Sequence, residues 1–135
     1  MMSDRPRYSI RRATPTDASK ILHCLHEAFE PYRKFYSPEA FNDTVLTSET
    51  VHQRLAAMAL FVAVTNDDKV VGTIGCSRIN AEEGHLRGMA VLAQWQGSAV
   101  ASDLLRRAES ELRFKGCYCI TLDTTEPLGA SCVLL

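Results

Sequence analysis

The residues whose types and spacing could do chemistry lie in one run, from Gly84 to Arg113, GHLRGMAVLAQWQGSAVASDLLRRAESELR. It reads as a strand over 85–91, a short polar turn around Trp95, Gln96 and Gly97, and a helix whose Ala101, Leu104, Leu105, Ala108 and Leu112 fall on one face. The first amides of a helix have no intrahelical carbonyl to bond, and they sit at the positive end of the macrodipole. A phosphate group placed there finds donors without needing a charged side chain. Small residues must line the approach, and the turn supplies Gly97, Ser98, Ala99 and Ala101. Small residues on their own describe an ordinary strand-to-helix connection equally simply.

Other reactive side chains form no such pattern. His23 and His26 stand three apart on a predicted helix, with no Asp or Cys partner at metal spacing, and read as solvated or half-buried. Five cysteines (Cys24, Cys76, Cys117, Cys119 and Cys132) are an odd number scattered along the chain, which argues for structural thiols and against a disulfide framework. Cys117 and Cys119 share one face of a predicted strand, but nothing completes a zinc site, so no metal is expected.

Composition sets the frame for these residues. The 135 residues are 46% hydrophobic and 23% charged, the balance of one soluble globular domain, here taken as 1–135. A net charge of −1 offers nothing to nucleic acid or to an anionic membrane surface. No stretch approaches the roughly 18 apolar residues of a membrane span, and the N-terminus lacks an apolar signal core. A cytoplasmic location is the expectation.

The elements that must position the run are legible from period and punctuation. A first strand covers 8–12, and Thr14-Pro15-Thr16-Asp17 opens a helix as a capping box with proline in its first turn. Ile21, Leu22, Leu25 and Phe29 give that helix a buried stripe. Residues 30–46 read as irregular, broken by Pro31 and Pro38 and rich in aromatics: Tyr32, Phe35, Tyr36 and Phe41. So much apolar area must cover or receive something. A helix over 48–58, a strand over 60–65, a turn at 66–69 and a return strand over 70–79 follow, with Gly72 and Gly75 suggesting bulges or close backbone approach. Gly116 marks the end of the helix that follows the turn, and CYCITL over 117–122 is one more strand. Pairing it in parallel with 85–91 makes a right-handed βαβ unit.

The run VLAQWQGSAVASDLL, 91–105, resembles motif A of the GCN5-related N-acetyltransferases (GNAT), whose turn follows Gln/Arg-x-x-Gly-x-Gly/Ala, and IRRATPTDA resembles how many of these domains begin. The pattern fits literally at Gln94, Gly97 and Ala99. Starting at Gln96, with Ala99 and Ala101, keeps the family's spacing from the strand valine and is preferred, at the expense of a glycine where the pyrophosphate approaches. The resemblance implies an α/β (α+β) fold, a mixed and mostly antiparallel sheet flanked by helices around a central β-turn-α unit that binds acyl-CoA. It implies acetyl transfer from acetyl-CoA, as cosubstrate, to an amine of a small molecule or protein. The alternative is an acyl-CoA-binding or inactive truncated scaffold without turnover.

Carried over by position, Met89, Ala90 and Val91 would meet the pantetheine arm, and Gln96, Gly97, Ser98, Ala99, Val100, Ala101 and Ser102 the pyrophosphate. The Val91 N–H would stabilise the oxyanion. Where the family often has a glutamate base this chain offers His85, with Glu82 and Glu83 just upstream; imidazole titrates near ~6.5, which suits a base at neutral pH. A strand histidine bonded to solvent or to a core neighbour is the plainer alternative. The family's acceptor wall falls on the aromatic segment. Residues 129–135 contain neither the family's next helix nor its last two strands, so the expectation is a C-terminally incomplete domain whose strand over 117–122 is left as an exposed edge for a homodimer.

Overall fold

Two apolar runs separated by Asn66-Asp67-Asp68-Lys69 fold back on each other as strands Ala59–Thr65 (β2) and Val70–Arg78 (β3). The turn closes with the Asp68 amide donating to Thr65 O at 2.9 Å, and Asp68 takes φ 64°, which aspartate tolerates better than most residues. The computed structural model describes residues 7–122 and 132–134. Strand Tyr8–Arg12 (β1) flanks β2, and strands Glu83–Val91 (β4), Cys119–Leu122 (β5) and Cys132–Leu134 (β6) continue the sheet beyond β3. Its order is β1-β2-β3-β4-β5-β6, antiparallel everywhere except the parallel β4–β5 pair. Helix Val100–Phe114 (α4) makes the crossover between those two strands. This is the mixed, mostly antiparallel architecture that the sequence leads one to expect.

Helix α4 covers one face of the sheet. Its buried stripe is Val100, Leu104, Ala108 and Leu112, at the three- and four-residue spacing of one helical face. It sits close because β3 and β4 offer backbone there: a Cβ on Gly72 would lie 2.9 Å from both Val100 Cγ1 and Leu104 Cδ1. The glycines of β3 therefore serve close approach. Helices Ala18–Phe29 (α1), Pro38–Val45 (α2) and Ser48–Ala57 (α3) pack together on the other side, and β2 between the layers is buried on both faces.

Three expectations change. Residues 30–46 are not irregular: a 3-10 segment at Glu30–Phe35 leads into α2, whose N-cap Ser37 accepts from the Ala40 amide. Proline ends one element there and begins the next, since it needs no partner for its nitrogen in a first turn. The strand 117–122 is not left as an edge: β6 pairs with β5 from Cys119↔Leu134 to Thr121↔Cys132, so one further strand exists where none was expected and the stated basis for a homodimer falls away. Cys119 is disulfide-bonded, whereas Cys24, Cys76 and Cys117 are buried free thiols.

The entry to α1 is fixed electrostatically. Asp17, 4% exposed, accepts from the Thr14 amide at 2.8 Å and from both Arg11 guanidinium nitrogens at 2.8 Å. The Arg11 bonds, helped by Thr14, pull the Asp17 carboxyl down to about 2. A folded-state pKa below the unfolded one adds stability above about pH 4 that is lost as the pH falls from about 4 toward 2. Because Arg11 is itself partly solvated, Arg11→Gln should cost only about 1 kcal/mol at pH 7. Urea unfolding at about pH 7, above the window, and at about pH 2.5, near its lower end, should show that difference shrinking with acidification.

Candidate functional site

Two features of β4 prepare it for a ligand. The first is a bulge. Thr73 of β3 faces Ala90 and Gly75 faces Arg87, so Gly88 and Met89 together oppose Ile74, and Gly88 takes φ +69°. The second is an early parting from β5. The parallel register runs from Glu83↔Cys119 to Leu86↔Leu122, and among the described residues nothing pairs with that side of β4 over 87–91. The Leu92 amide bonds Val71 O at 2.9 Å, and the antiparallel ladder alternates, so the Val91 backbone turns toward this open side. Its carbonyl there accepts from Gln96 Nε2 at 3.2 Å.

The chain then makes a 3-10 turn at Ala93–Trp95 and reaches α4 through Gln96 and Gly97. Gly97 lies at φ +83° with nothing within 4 Å of a Cβ built on it, so the surface is open there. Ala99 has φ −81° and ψ 2°, on the negative-φ side and outside the left-handed region that favours glycine. Ser98 Oγ bonds Trp95 O and accepts from the Val100 amide at 3.3 Å. Among the described residues no hydrogen bond occupies the amides of Gly97, Ala99, Ala101 or Ser102. The turn is therefore a cluster of exposed N–H donors at a positive helix end.

Asp103 lies in the first turn of α4 and would oppose an anion there. It is engaged elsewhere: Tyr8 Oη donates to it at 2.5 Å and Arg106 approaches at 3.5 Å. Tyr8 also meets Trp95 edge to face, at 5.8 Å between centroids. Burial, then the Asp103 bond, pushes the Tyr8 hydroxyl up to about 12. Sequence reasoning missed this tie between the first strand and the turn, since residues 95 positions apart carry no local signal of contact.

Alternation along β4 sorts its side chains. Gly84 and Leu86 are buried, and a Cβ on Gly84 would meet Leu112 of α4 at 2.6 Å. Glu83, His85 and Arg87 therefore project from the opposite face. Asn80 Nδ2 lies 3.4 Å from Glu83 Oε1, at the strand's start. His85 is half-buried, with Nδ1 at 3.1 Å from Thr121 Oγ1. That hydroxyl also reaches Gly84 O at 3.3 Å, and a Thr121 proton given to that carbonyl leaves Oγ1 as the acceptor for an Nδ1–H.

Arg87 pairs with Asp43 of α2 at 3.0 Å, and Arg54 of α3 lies against the bulge, where a Cβ on Gly88 would be 2.9 Å from its Nη1. These residues border a cavity of about 300 Å³ with Thr50, Gln53 and Ser77. None of them was singled out from the sequence. The aromatic segment lies elsewhere: Tyr32, Phe35 and Tyr36 line a different cavity of about 480 Å³ with Ser37 and Ala40. Phe41 is 1% exposed and belongs to the core, which corrects its reading as a ligand contact. His23 pairs with Glu27, and His26 packs on Phe41. Among the described residues no three metal-binding side chains come together, and no helix is long and apolar enough to cross a membrane.

A strand that parts from its parallel neighbour and feeds an open helix N-terminus coincides with a family match. The model of the acetyltransferase (GNAT) family matches residues 21–133. The chain belongs to that family. Among solved structures, a GNAT acetyltransferase from Brucella melitensis, determined in complex with acetyl-CoA, is 23% identical, with a TM-score of 0.74 over 95% of this chain and 88% of that one. A GNAT acetyltransferase from Staphylococcus aureus Mu50 is 17% identical, with a TM-score of 0.71 over 87% and 73% of the two chains. The protein Rv2747 from Mycobacterium tuberculosis, determined in complex with CoA, is 20% identical, with a TM-score of 0.67 over 87% and 65%. No curated protein matches significantly.

The GNAT bulge gives a direct test. Gly88→Ala forces a side chain into the left-handed region and against Arg54, and should destabilise the chain by about 1–2 kcal/mol. Urea unfolding should show a lower midpoint at an unchanged slope.

Proposed function

We propose that this chain is an acyl-CoA-dependent N-acetyltransferase that moves an acetyl group from acetyl-CoA to the amine of a small molecule. The observation that carries the reading is the open half of β4, bulged at Gly88 and leading directly into the unoccupied amides before and within the first turn of α4. A pyrophosphate needs converging donors, and Gly97, Ala99, Ala101 and Ser102 offer backbone N–H groups at the helix end. Gln96 holds the turn to the strand through Val91 O, while Ser98 and Val100 brace it. Ala99 stands where a glycine would be, at a negative φ that requires none. Of Met89, Ala90 and Val91, Val91 presents its backbone to the pantetheine arm as another strand would be received, while Ala90 is paired with Thr73 of β3.

Transfer requires a neutral amine, a donor for the oxyanion of the tetrahedral intermediate and an acceptor for the amine's proton. The Val91 N–H faces the open side and is the oxyanion donor in this reading. His85 Nε2 takes the proton, directly or through one water, since Thr121 keeps Nδ1 protonated. Glu83, on the same strand face, adds negative charge that stabilises the resulting imidazolium. As the intermediate collapses, the C–S bond breaks, the acetyl group stays on nitrogen and the thiolate departs.

Calorimetry should show acetyl-CoA binding in about the micromolar range. Gly97→Asp should weaken it about tenfold or more, because aspartate tolerates the left-handed backbone while setting a like charge against the phosphates. His85→Ala should lower kcat about 100-fold with acetyl-CoA affinity unchanged. Thr121→Val should lower kcat by less, with KM for the amine unchanged, as expected of a residue that orients the ring. Binding without turnover across a broad amine panel would instead identify a non-catalytic acyl-CoA scaffold.

A further inference from the structure

We infer that Tyr8, on the first strand, is a positioning residue for acyl-CoA: it braces the donor turn before α4 from both sides and ties back Asp103, whose carboxylate would otherwise repel the phosphates. This rests on the acyl-CoA reading above and adds to it a residue outside the turn. The open amides, those of Gly97, Ala99, Ala101 and Ser102, fall within residues 96–102. Tyr8 touches the residue on each side of that run. Its ring meets Trp95 edge to face, and its hydroxyl donates to Asp103 Oδ2 at 2.5 Å. One side chain, 95 positions away from Asp103, thus spans the whole cluster.

The carboxylate needs restraint because of where it sits. Helical side chains tilt toward the N-terminus of their helix, so Asp103, in the first turn of α4, overhangs the donors that precede it. An acid there suits the helix dipole while no ligand is bound and competes with any anion that arrives. Its side chain is 30% exposed, so water and salt screen it only in part.

Two groups could hold it back, and they are unequal. Arg106 approaches at 3.5 Å from a side chain 78% exposed, and such a surface pair contributes little. The Tyr8 bond is short, charge-assisted and made by a half-buried ring whose orientation Trp95 fixes. Burial, then Asp103, pushes the hydroxyl up to about 12, so Tyr8 remains the donor at neutral pH. The proton it shares with Asp103 turns an opposing charge into part of the scaffold.

Calorimetry of the full chain with acetyl-CoA separates charge from packing. Tyr8→Phe keeps the ring against Trp95 and deletes the donor, so Kd should rise about 5- to 10-fold at about 50 mM salt and by less at about 500 mM. Asp103→Asn should tighten binding about two- to threefold, and adding it to Tyr8→Phe should recover at least the wild-type Kd, a rescue that lost packing could not give. Asp103→Glu carries the charge one methylene beyond the Tyr8 hydroxyl and should weaken binding about as Tyr8→Phe does. Tyr8→Ala removes the ring as well, and the emission of Trp95, the chain's single tryptophan, should shift to the red; an unshifted emission would overturn the bracing. An unaltered Kd in Tyr8→Phe, or a double variant as weak as Tyr8→Phe, would overturn the inference. Where Tyr8→Phe does not fold, Asp103→Glu against Asp103→Asn decides, and equal affinities overturn it. If the wild-type chain binds no acetyl-CoA, the acyl-CoA reading falls, and inorganic pyrophosphate titrated into the same variants decides separately: the same order of affinities upholds the role of Tyr8, and no binding overturns it.

Discussion

Strand β4 pairs with β3 along its length but with β5 over only its first four residues, and the rest of the site follows from that inequality. A sheet strand normally satisfies its backbone on both sides, because an unpaired buried amide is costly. Here the ladder on one side stops at Leu86↔Leu122, and the bulge at Gly88 re-aims the strand just beyond. The polar groups left over face outward as a row, ready for a ligand that presents amides of its own. Sheet and ligand site are thus parts of one hydrogen-bonding system.

Helix α4 places its open N-terminus beside that opening, as the proposed anion site requires. Its amphipathic stripe seats it on β3 and β4, and Gly72 lets Val100 and Leu104 approach the backbone directly. The position of the helix N-terminus is therefore set by core packing far larger in area than the turn itself. Tyr8 adds a second restraint from the opposite edge of the sheet, and by bonding Asp103 it occupies the one carboxylate in the helix's first turn. An exposed donor cluster is costly only in that it orders backbone without internal bonds, and the packing beneath it supplies that order.

Much of this was legible in the residues. Periodicity gave the strands, α1, α3 and α4, since their apolar residues recur at two or at three and four. Thr14 and Asp17 announced the capping box, and the turn at 66–69 announced the hairpin. What escaped was set by contacts distant in sequence. The bulge lies on β4 at Gly88, whereas Gly72 and Gly75 drew attention to β3; a glycine alone does not tell positive φ from close approach. Phe41 looked like a loop aromatic until α2 turned it into the core. Short β6 has no period to read, and Arg54 and Arg87 are ordinary surface arginines until α3 and β4 border one cavity.

The same register that parts the strands also places His85, the base of the proposed reaction, beside Thr121. His85 and Thr121 are lateral neighbours because β5 runs parallel to β4 in that half alone. Two residues further along, at Arg87, the β5 pairing has ended, and a histidine there would have had no described β5 partner to orient its ring. Thr121 has a single hydroxyl proton, and spending it on the carbonyl of Gly84 leaves Oγ1 to accept from His85. In the proposed reading, a backbone carbonyl thus orients the ring through a threonine before any substrate arrives. The proposed proton acceptor therefore depends on strand register, and a one-residue slip of β5 would remove its Thr121 contact together with the point at which the strands part.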